Sequence, residues 1–365
     1  MGENITRQSN SFAVIGDIAL NGLFSQEIDK NPTRFRDIEN LLADFPIVFA
    51  NLEMPVETSE RNEKKNHHHF TSPVAIKQVL KMLNISCVSL ANNHIFDCKL
   101  SGVKETIGVL DSIGVKHTGA GWLDEQLAPV ILESCGAKIA FLAYVDIGTN
   151  PQNQDFDEFK LNYFDANKVK NDISLIKSLV DIVICSIHWG TDYSNFYSKQ
   201  QQKLAHQVID AGAHIIMGHH PHTIQPYERY KGNHIFYSLG GICFGDFYKN
   251  GKLTAIKRKT KLGIIAAKSS IYDNDFLFFP TKELKGNIII IPRLNIRRKL
   301  LRLAWLNRLK NKSKIANAAI SFKESAIDRV YEFLFGYYRN PLKQFFDFKW
   351  LGKLGFIIRD YKKIK

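Results

Sequence analysis

The chain predicts an α/β protein, a layered sandwich of mostly parallel sheet flanked by helices, and three observations predict it. Apolar runs of strand length recur along the first 292 residues, and amphipathic stretches with Leu, Ile and Val at helical spacing separate several of them. The unusual polar residues fall in clusters, each at the end of an apolar run. Open α/β folds place their chemistry in the loops beyond the carboxyl ends of such strands.

Taken in order, 12–16, 47–51, 86–91, 130–133, 138–144, 181–187, 213–217 and 234–239 read as strands. Helices are predicted over 72–83, 99–113, 165–179 and 198–211, where the apolar residues return every three or four positions. Beyond them 263–271, 275–280 and 286–292 read as further strands that close the sandwich. No internal repeat and no long low-complexity segment interrupts this alternation.

The polar clusters are Gly16-Asp17, Asn51-Leu52-Glu53, Asn92-Asn93-His94 with Asp97, His188-Trp189-Gly190 and His219-His220-Pro221-His222. Carboxylates, amides and imidazoles are the hard and borderline ligands that suit divalent metals. One His after a strand is most often a structural residue, but five such clusters at five strand ends point to one shared polar site.

The motifs around these clusters carry a resemblance. Ala50-Asn-Leu-Glu-Met-Pro-Val56, Ser89-Leu-Ala-Asn-Asn-His94, His117-Thr-Gly-Ala-Gly121, Ile187-His-Trp-Gly190, Gly218-His-His-Pro-His222 and Phe236-Tyr-Ser-Leu-Gly240 resemble, in order and spacing, the CapA family of capsule and poly-γ-glutamate synthesis proteins. That family's domain is similar to the calcineurin-like metallophosphoesterases, so the resemblance implies a layered α/β sandwich of that type over 11–292. It also implies a divalent metal as cofactor, with Mn, Zn, Fe and Mg all open, held by Asp17, Glu53, Asn93, His188, His220 and His222. His94, with Asn93 and Asp97, is the implied catalytic group, and Asn51, His69, Asp192 and Tyr237 are implied substrate contacts. His219 fits the pattern less well than His220 and His222, and a plain loop histidine is an equal reading of it.

Three positions depart from the pattern. Asp17-Ile18-Ala19 stands where the related phosphoesterases have Asp-x-His, which weakens one metal position. Asp192 replaces a common Glu, shortening the side chain, and Gly241 replaces a usual Asn. The expected function is biosynthesis of an anionic surface polymer, poly-γ-glutamate-like or polysaccharide, with a metal-dependent, phosphoesterase-like hydrolase site. The expected partner is that polymer or its precursor. The alternative is a non-catalytic polymer-binding or scaffold subunit of a membrane synthesis complex, and a third reading is a phosphodiesterase or nucleotidase unrelated to polymer.

The three imidazoles of His67-His68-His69 are adjacent, and adjacent residues seldom converge on one ion, so they read as a solvated or substrate-facing loop. Arg61, Lys64 and Lys65 belong to the same stretch and suit phosphate or carboxylate.

Charge divides the chain. The whole carries +13, yet residues 293–365 alone hold 19 Lys and Arg against 5 Asp and Glu, so the basic balance belongs to the tail. Basic residues there flank Leu, Trp, Phe and Tyr, and this basic, mainly helical extension is expected either to pack on the 11–292 domain or to meet an anionic membrane surface or a membrane synthesis complex. For nucleic acid only the charge argues, since no binding motif accompanies it. The five cysteines include no Cys-x-x-Cys pair and read as buried thiols of a reducing compartment. With a polar amino terminus and no apolar run of bilayer length, the expected location is cytoplasmic, peripheral on the inner face of the membrane.

Overall fold

The computed structural model describes residues 10–321, apart from 63–68, 150–158, 250–251, 313–314 and the single positions 27, 32, 123, 255, 257, 285, 292 and 316. The chain begins with β1 (Phe12–Ile18), a short helix α1 (Leu23–Gln26), α2 (Arg36–Leu42) and β2 (Ile47–Leu52). There follow α3 (Pro73–Met82), β3 (Cys87–Ser89), α4 (Lys99–Ser112), β4 (Lys116–Thr118) and the two-residue β5 (Ala120–Gly121). The second half opens with β6 (Val130–Ser134), β7 (Ala137–Val145), β8 (Lys160–Leu161), α5 (Ala166–Ile176), β9 (Ile182–His188), α6 (Lys199–Ala211) and β10 (Ile215–His219). Shorter strands follow: β11 (Tyr227–Tyr230), β12 (Asn233–Phe236), β13 (Gly241–Ile242), β14 (Phe247–Lys249) and β15 (Lys252–Thr254). The chain then forms β16 (Leu262–Lys268), β17 (Leu277–Leu284), β18 (Asn287–Ile290) and the long helix α7 (Arg293–Lys312).

These strands form two main sheets. One runs β18-β17-β16-β1-β2-β3-β4 with β13 paired to β1, and the other runs β11-β12-β10-β9-β7-β6. The central strands β1, β2, β3 and β4 are parallel, as are β7, β9, β10 and β12. Both faces of these strands are covered, which is why β1, β2 and β9 are apolar without alternation and buried throughout. The sheets face each other through rings such as Phe49 and Phe141, stacked with centroids 4.9 Å apart. Ile76, Val79, Leu80, Val103 and Leu110 of α3 and α4 join the core of the first sheet. On the outer face of the second, Val169, Ile173, Val208 and Ile209 of α5 and α6 pack against Val183, Cys185, Ile187 and Ile216. The result is the layered α/β sandwich expected from the sequence.

Local signals fix the helix starts. Ser72 caps α3 by accepting from the Ala75 amide, Pro73 occupies the first turn where no amide is needed, and Ser198 with Gln201 forms a reciprocal capping box on α6. The sheets end at Ile290, and α7 lies across β17 with Ile296, Leu300 and Leu303 buried. Residues 322–365, which carry the rest of the basic extension, lie outside the described residues. Among the described residues no helix is long and apolar enough to cross a membrane, and all five cysteines are free, Cys135 being the exposed one.

Candidate metal centre

The carboxyl ends of the central strands of both sheets meet at one place. Register explains which residues arrive there: Asp17 of β1 lies opposite Asn51 of β2, and His219 of β10 opposite His188 of β9. The segment between β12 and β13 passes closely against both sheets at this end. A Cβ at Gly16 would stand 2.0 Å from the Gly240 carbonyl oxygen, and one at Gly218 would stand 2.0 Å from that of Tyr237, so neither position admits a side chain.

Asp17 is fully buried and is the hub. Its Oδ1 accepts from Asn51 Nδ2 at 2.9 Å, and its Oδ2 accepts from the His220 amide at 3.1 Å and from His222 Nδ1 at 2.8 Å. His219 Nδ1 stands 2.9 Å from Oδ1, close enough to act by charge although its N–H is not aligned on the oxygen. Glu53, just past β2, accepts from the same Asn51 amide at 2.7 Å. Its oxygens also face His222 Nε2 at 3.6 Å, His188 Nδ1 at 3.7 Å and His94 Nε2 at 3.8 Å. His188 Nε2 lies 2.8 Å from Asn93 Oδ1. His220 and His222 both hold positive φ, 90° and 53°, a conformation that costs a non-glycine residue backbone energy.

The electrostatics follow from this crowding. Burial by itself would raise Asp17, but the His219 and His222 imidazoles outweigh it and hold the carboxyl well below its usual range. Burial and the Asp17 charge push Glu53 up to about 8. Burial opposes a proton on His222, yet the Glu53 and Asp17 carboxylates push it up to about 9. Burial holds His188 well below the ordinary imidazole value and His220 down to about 4, so both are neutral ligands at neutral pH.

Two sets of side chains have ligand spacing, their donor atoms within 4.8 Å of one another: Asp17, Glu53 and His188, and Asp192, His220 and His222. Buried donors without a protein partner gather here, among them Glu53 Oε1, His188 Nδ1 and His220 Nδ1. An unmet buried polar atom costs roughly 1–3 kcal/mol. A divalent cation meets such atoms, and the mix of carboxylate and imidazole is the donor set that suits one.

Beside the carboxylates stands a second arrangement. His94 Nδ1 lies 2.9 Å from Asp97 Oδ2, and the His69 amide donates to the same oxygen at 2.7 Å. Asn92 fixes the turn, its Nδ2 donating to the Leu52 carbonyl at 2.8 Å and its Oδ1 accepting from the His94 amide at 2.9 Å. His94 Nε2 therefore points toward Glu53.

The structure thus brings together Asp17, Glu53, Asn93, His94, Asp97, His188, His220 and His222. It gives other places to some expected substrate contacts. Asn51 is wholly buried and clamps two carboxylates, so its amide is spent on positioning rather than on a substrate. Tyr237 is also wholly buried, its ring stacked on Tyr197 and Trp189 in the outer-layer core and its hydroxyl donating to Glu228 at 2.7 Å, away from the site. The period of the strand sends it to the opposite face. Asp192, despite its short side chain, reaches to 3.6 Å from His220 Nε2 and joins the ligand set while remaining half exposed. His69 is exposed, its ring 4.7 Å from that of His94. His67, His68, Lys64 and Lys65 lie outside the described residues, and Arg61 is engaged with Glu57 and the Phe70 ring.

Asn92 and His219 both lie in the quoted motifs without an assigned role in the site; the structure uses Asn92 to hold the turn and sets His219 against Asp17. Ala19, two residues after Asp17, is buried in a small apolar cluster with Met54 and Phe244.

The family model of the bacterial capsule synthesis protein PGA_cap matches residues 11–246. The PGA biosynthesis protein CapA of Bacillus subtilis is 32% identical over 242 residues, 64% of this chain and 63% of that protein. The capsule biosynthesis protein CapA of Bacillus anthracis is 29% identical over 260 residues, 67% of this chain and 62% of that protein. The chain therefore spans about three-fifths of the length of these relatives. A 5′-nucleotidase precursor from Thermus thermophilus superposes with a TM-score of 0.43 at 12% identity, covering 81% of this chain and 58% of that one.

Proposed function

From the premise that this chain belongs to the bacterial capsule synthesis protein family PGA_cap, we propose that it serves the biosynthesis of an anionic surface polymer, poly-γ-glutamate-like or polysaccharide, through a metal-dependent hydrolase-like site. The observation that carries this reading is the convergence of Asp17, Glu53, Asn93, His188, His220 and His222 beside a His94–Asp97 pair. The residues fit a divalent cation, with Asp192 as a further ligand, and Mn, Zn, Fe and Mg all accept this set. Bound there, such an ion supplies Lewis-acid charge to a phosphoryl or acyl oxygen.

The chain's own residues do the rest. Asn51 holds Asp17 and Glu53 side by side against their repulsion. Asp97 fixes the His94 ring with Nδ1 inward, which leaves Nε2 as the atom that exchanges a proton with a leaving group. Burial of the carboxylate hub limits competing water and strengthens each charge interaction.

A second reading has its own observation. Ala19 contributes no ligand where an imidazole would complete a second ion's shell, which suits a polymer-binding or scaffold subunit that keeps the fold with a reduced site. Elemental analysis of the untagged full chain, with His188→Ala and His220→Ala alongside, separates the two. One or two equivalents of metal lost in the variants, with turnover in a screen of phosphoesters and γ-glutamyl amides, supports the hydrolase. Metal-free protein after reconstitution, with retained binding to polyglutamate, supports the scaffold. A location on the inner face of the membrane belongs to the same proposal.

A further inference from the structure

Helix α7 has apolar residues on two faces, and among the described residues only one of them is packed. Ile296, Leu300 and Leu303 are 3%, 9% and 8% exposed and pack toward β17, with Asn307 buried beyond them. On the opposite side Leu301 is 66% exposed and Trp305 60%. These two stand one helical turn apart, so they form one stripe. Arg297, Arg298, Arg308 and Lys312 are exposed on the same arc, alternating with the apolar side chains.

The composition is one-sided as well. Arg293–Lys312 contains eight basic residues and no acidic one. A helix of this kind on a protein surface is ordinarily braced by Glu or Asp one turn away, and here nothing on the helix neutralises the row. Exposed Trp and Leu flanked by Arg and Lys have the chemistry of a bilayer interface, where the indole and alkyl groups enter the headgroup boundary and the cations meet lipid phosphate.

We infer that the outward face of α7, centred on Leu301 and Trp305, docks on an anionic lipid surface. A partner protein of matching shape would need acidic and apolar groups in register, whereas a bilayer needs none. The orientation has a consequence. The carboxyl-terminal half of α7 touches the loop between β9 and α6, with Lys310 Nζ 5.0 Å from the Phe196 ring. That loop carries Asp192. Docking through α7 therefore holds the Asp192 side of the metal centre near the membrane plane, whichever reaction that centre performs.

The test is co-sedimentation of the full chain with two vesicle compositions, pure phosphatidylcholine and phosphatidylcholine with about a third phosphatidylglycerol, at low and high salt. The expected result is binding to the anionic vesicles alone, weakened by salt. Leu301→Ser with Trp305→Ser lowers it by about tenfold or more, and Arg298→Gln with Arg308→Gln lowers it several-fold and flattens the salt dependence. Thermal melts of both variants that match the parent exclude misfolding as the cause. Equal binding to neutral vesicles, no binding to either, or binding unchanged in the double Ser variant overturns the proposal. So does a dimer in sedimentation velocity that the double Ser variant abolishes, which assigns the face to a second copy of the chain.

Discussion

The strand-end pole and the outer face of α7 are both crowded with charge, and they use it in opposite ways. At the pole Asp17, Glu53, His188, His220 and His222 are 0–5% exposed, so each ionisable group is fixed by its neighbours and shifted from its ordinary value. On α7 Arg297, Arg298, Arg308 and Lys312 are exposed among apolar groups, and no acidic residue of the helix sets their geometry. Burial shifts the charged groups at one place, and exposure leaves them in solvent at the other.

The largest break in that comparison is removal of the hub. Asp17→Ala strips the partner from His222, the His220 amide and Asn51 at once, so buried charge is left uncompensated. The expected loss is about 3–5 kcal/mol in urea unfolding, together with loss of bound metal by elemental analysis. Unchanged stability would mean that Glu53 alone satisfies the histidines and that Asp17 is peripheral.

Asp97→Asn tests the second arrangement without touching a metal ligand. It removes the carboxylate that orients His94 Nδ1, so turnover should fall by roughly 100-fold or more while metal content stays at the parent value. Because Asp97 also accepts from the His69 amide, His94→Gln is the companion variant. Similar losses in both locate the effect in the imidazole.

Proton competition gives the next effect. At pH 7 Glu53, pushed up to about 8, and His222, pushed up to about 9, both hold protons that a cation must displace, whereas His188 and His220 hold none. Metal affinity should therefore rise with pH, by about tenfold per unit for each proton displaced, losing the Glu53 contribution above pH 8 and the His222 contribution above pH 9. Calorimetry in two buffers of different ionisation enthalpy counts the released protons. Zero release at pH 7 would show that neither group is a ligand.

Much of this was legible in the sequence, and the reasons are physical. Strands buried on both faces are apolar throughout, so β1, β2, β7, β9 and β10 announced themselves, and a strand end that turns polar announced a ligand. The edge strand Tyr227–Tyr230 did not, because it is half exposed and reads as Tyr-Glu-Arg-Tyr. Likewise α2 has only Ile38 and Leu42 buried, too few for a period to show. Side-chain direction was the harder part. Asn51 and Tyr237 sit in motifs beside the site, and only the folded register sends one to clamp carboxylates and the other to the opposite face. Asp192 was underestimated for its length, since the loop after β9, with Tyr193 at a φ of 59°, brings the backbone close enough.

The smallest expected effect sharpens the comparison most. Leu301→Ala removes an apolar side chain that is 66% exposed, so the folded chain has little contact to lose. Alanine is at least as good a helix former as leucine. Thermal and urea unfolding should therefore move by no more than about 0.5 kcal/mol. A loss of about 2 kcal/mol or more would be the cost of a core truncation, and it would mean that another part of the same chain packs on Leu301. In that case the face is already covered and its cations serve folding. A null result on stability, joined to weakened vesicle binding in the same variant, places the energy of this residue outside the folded chain, which is the condition any docking surface has to meet.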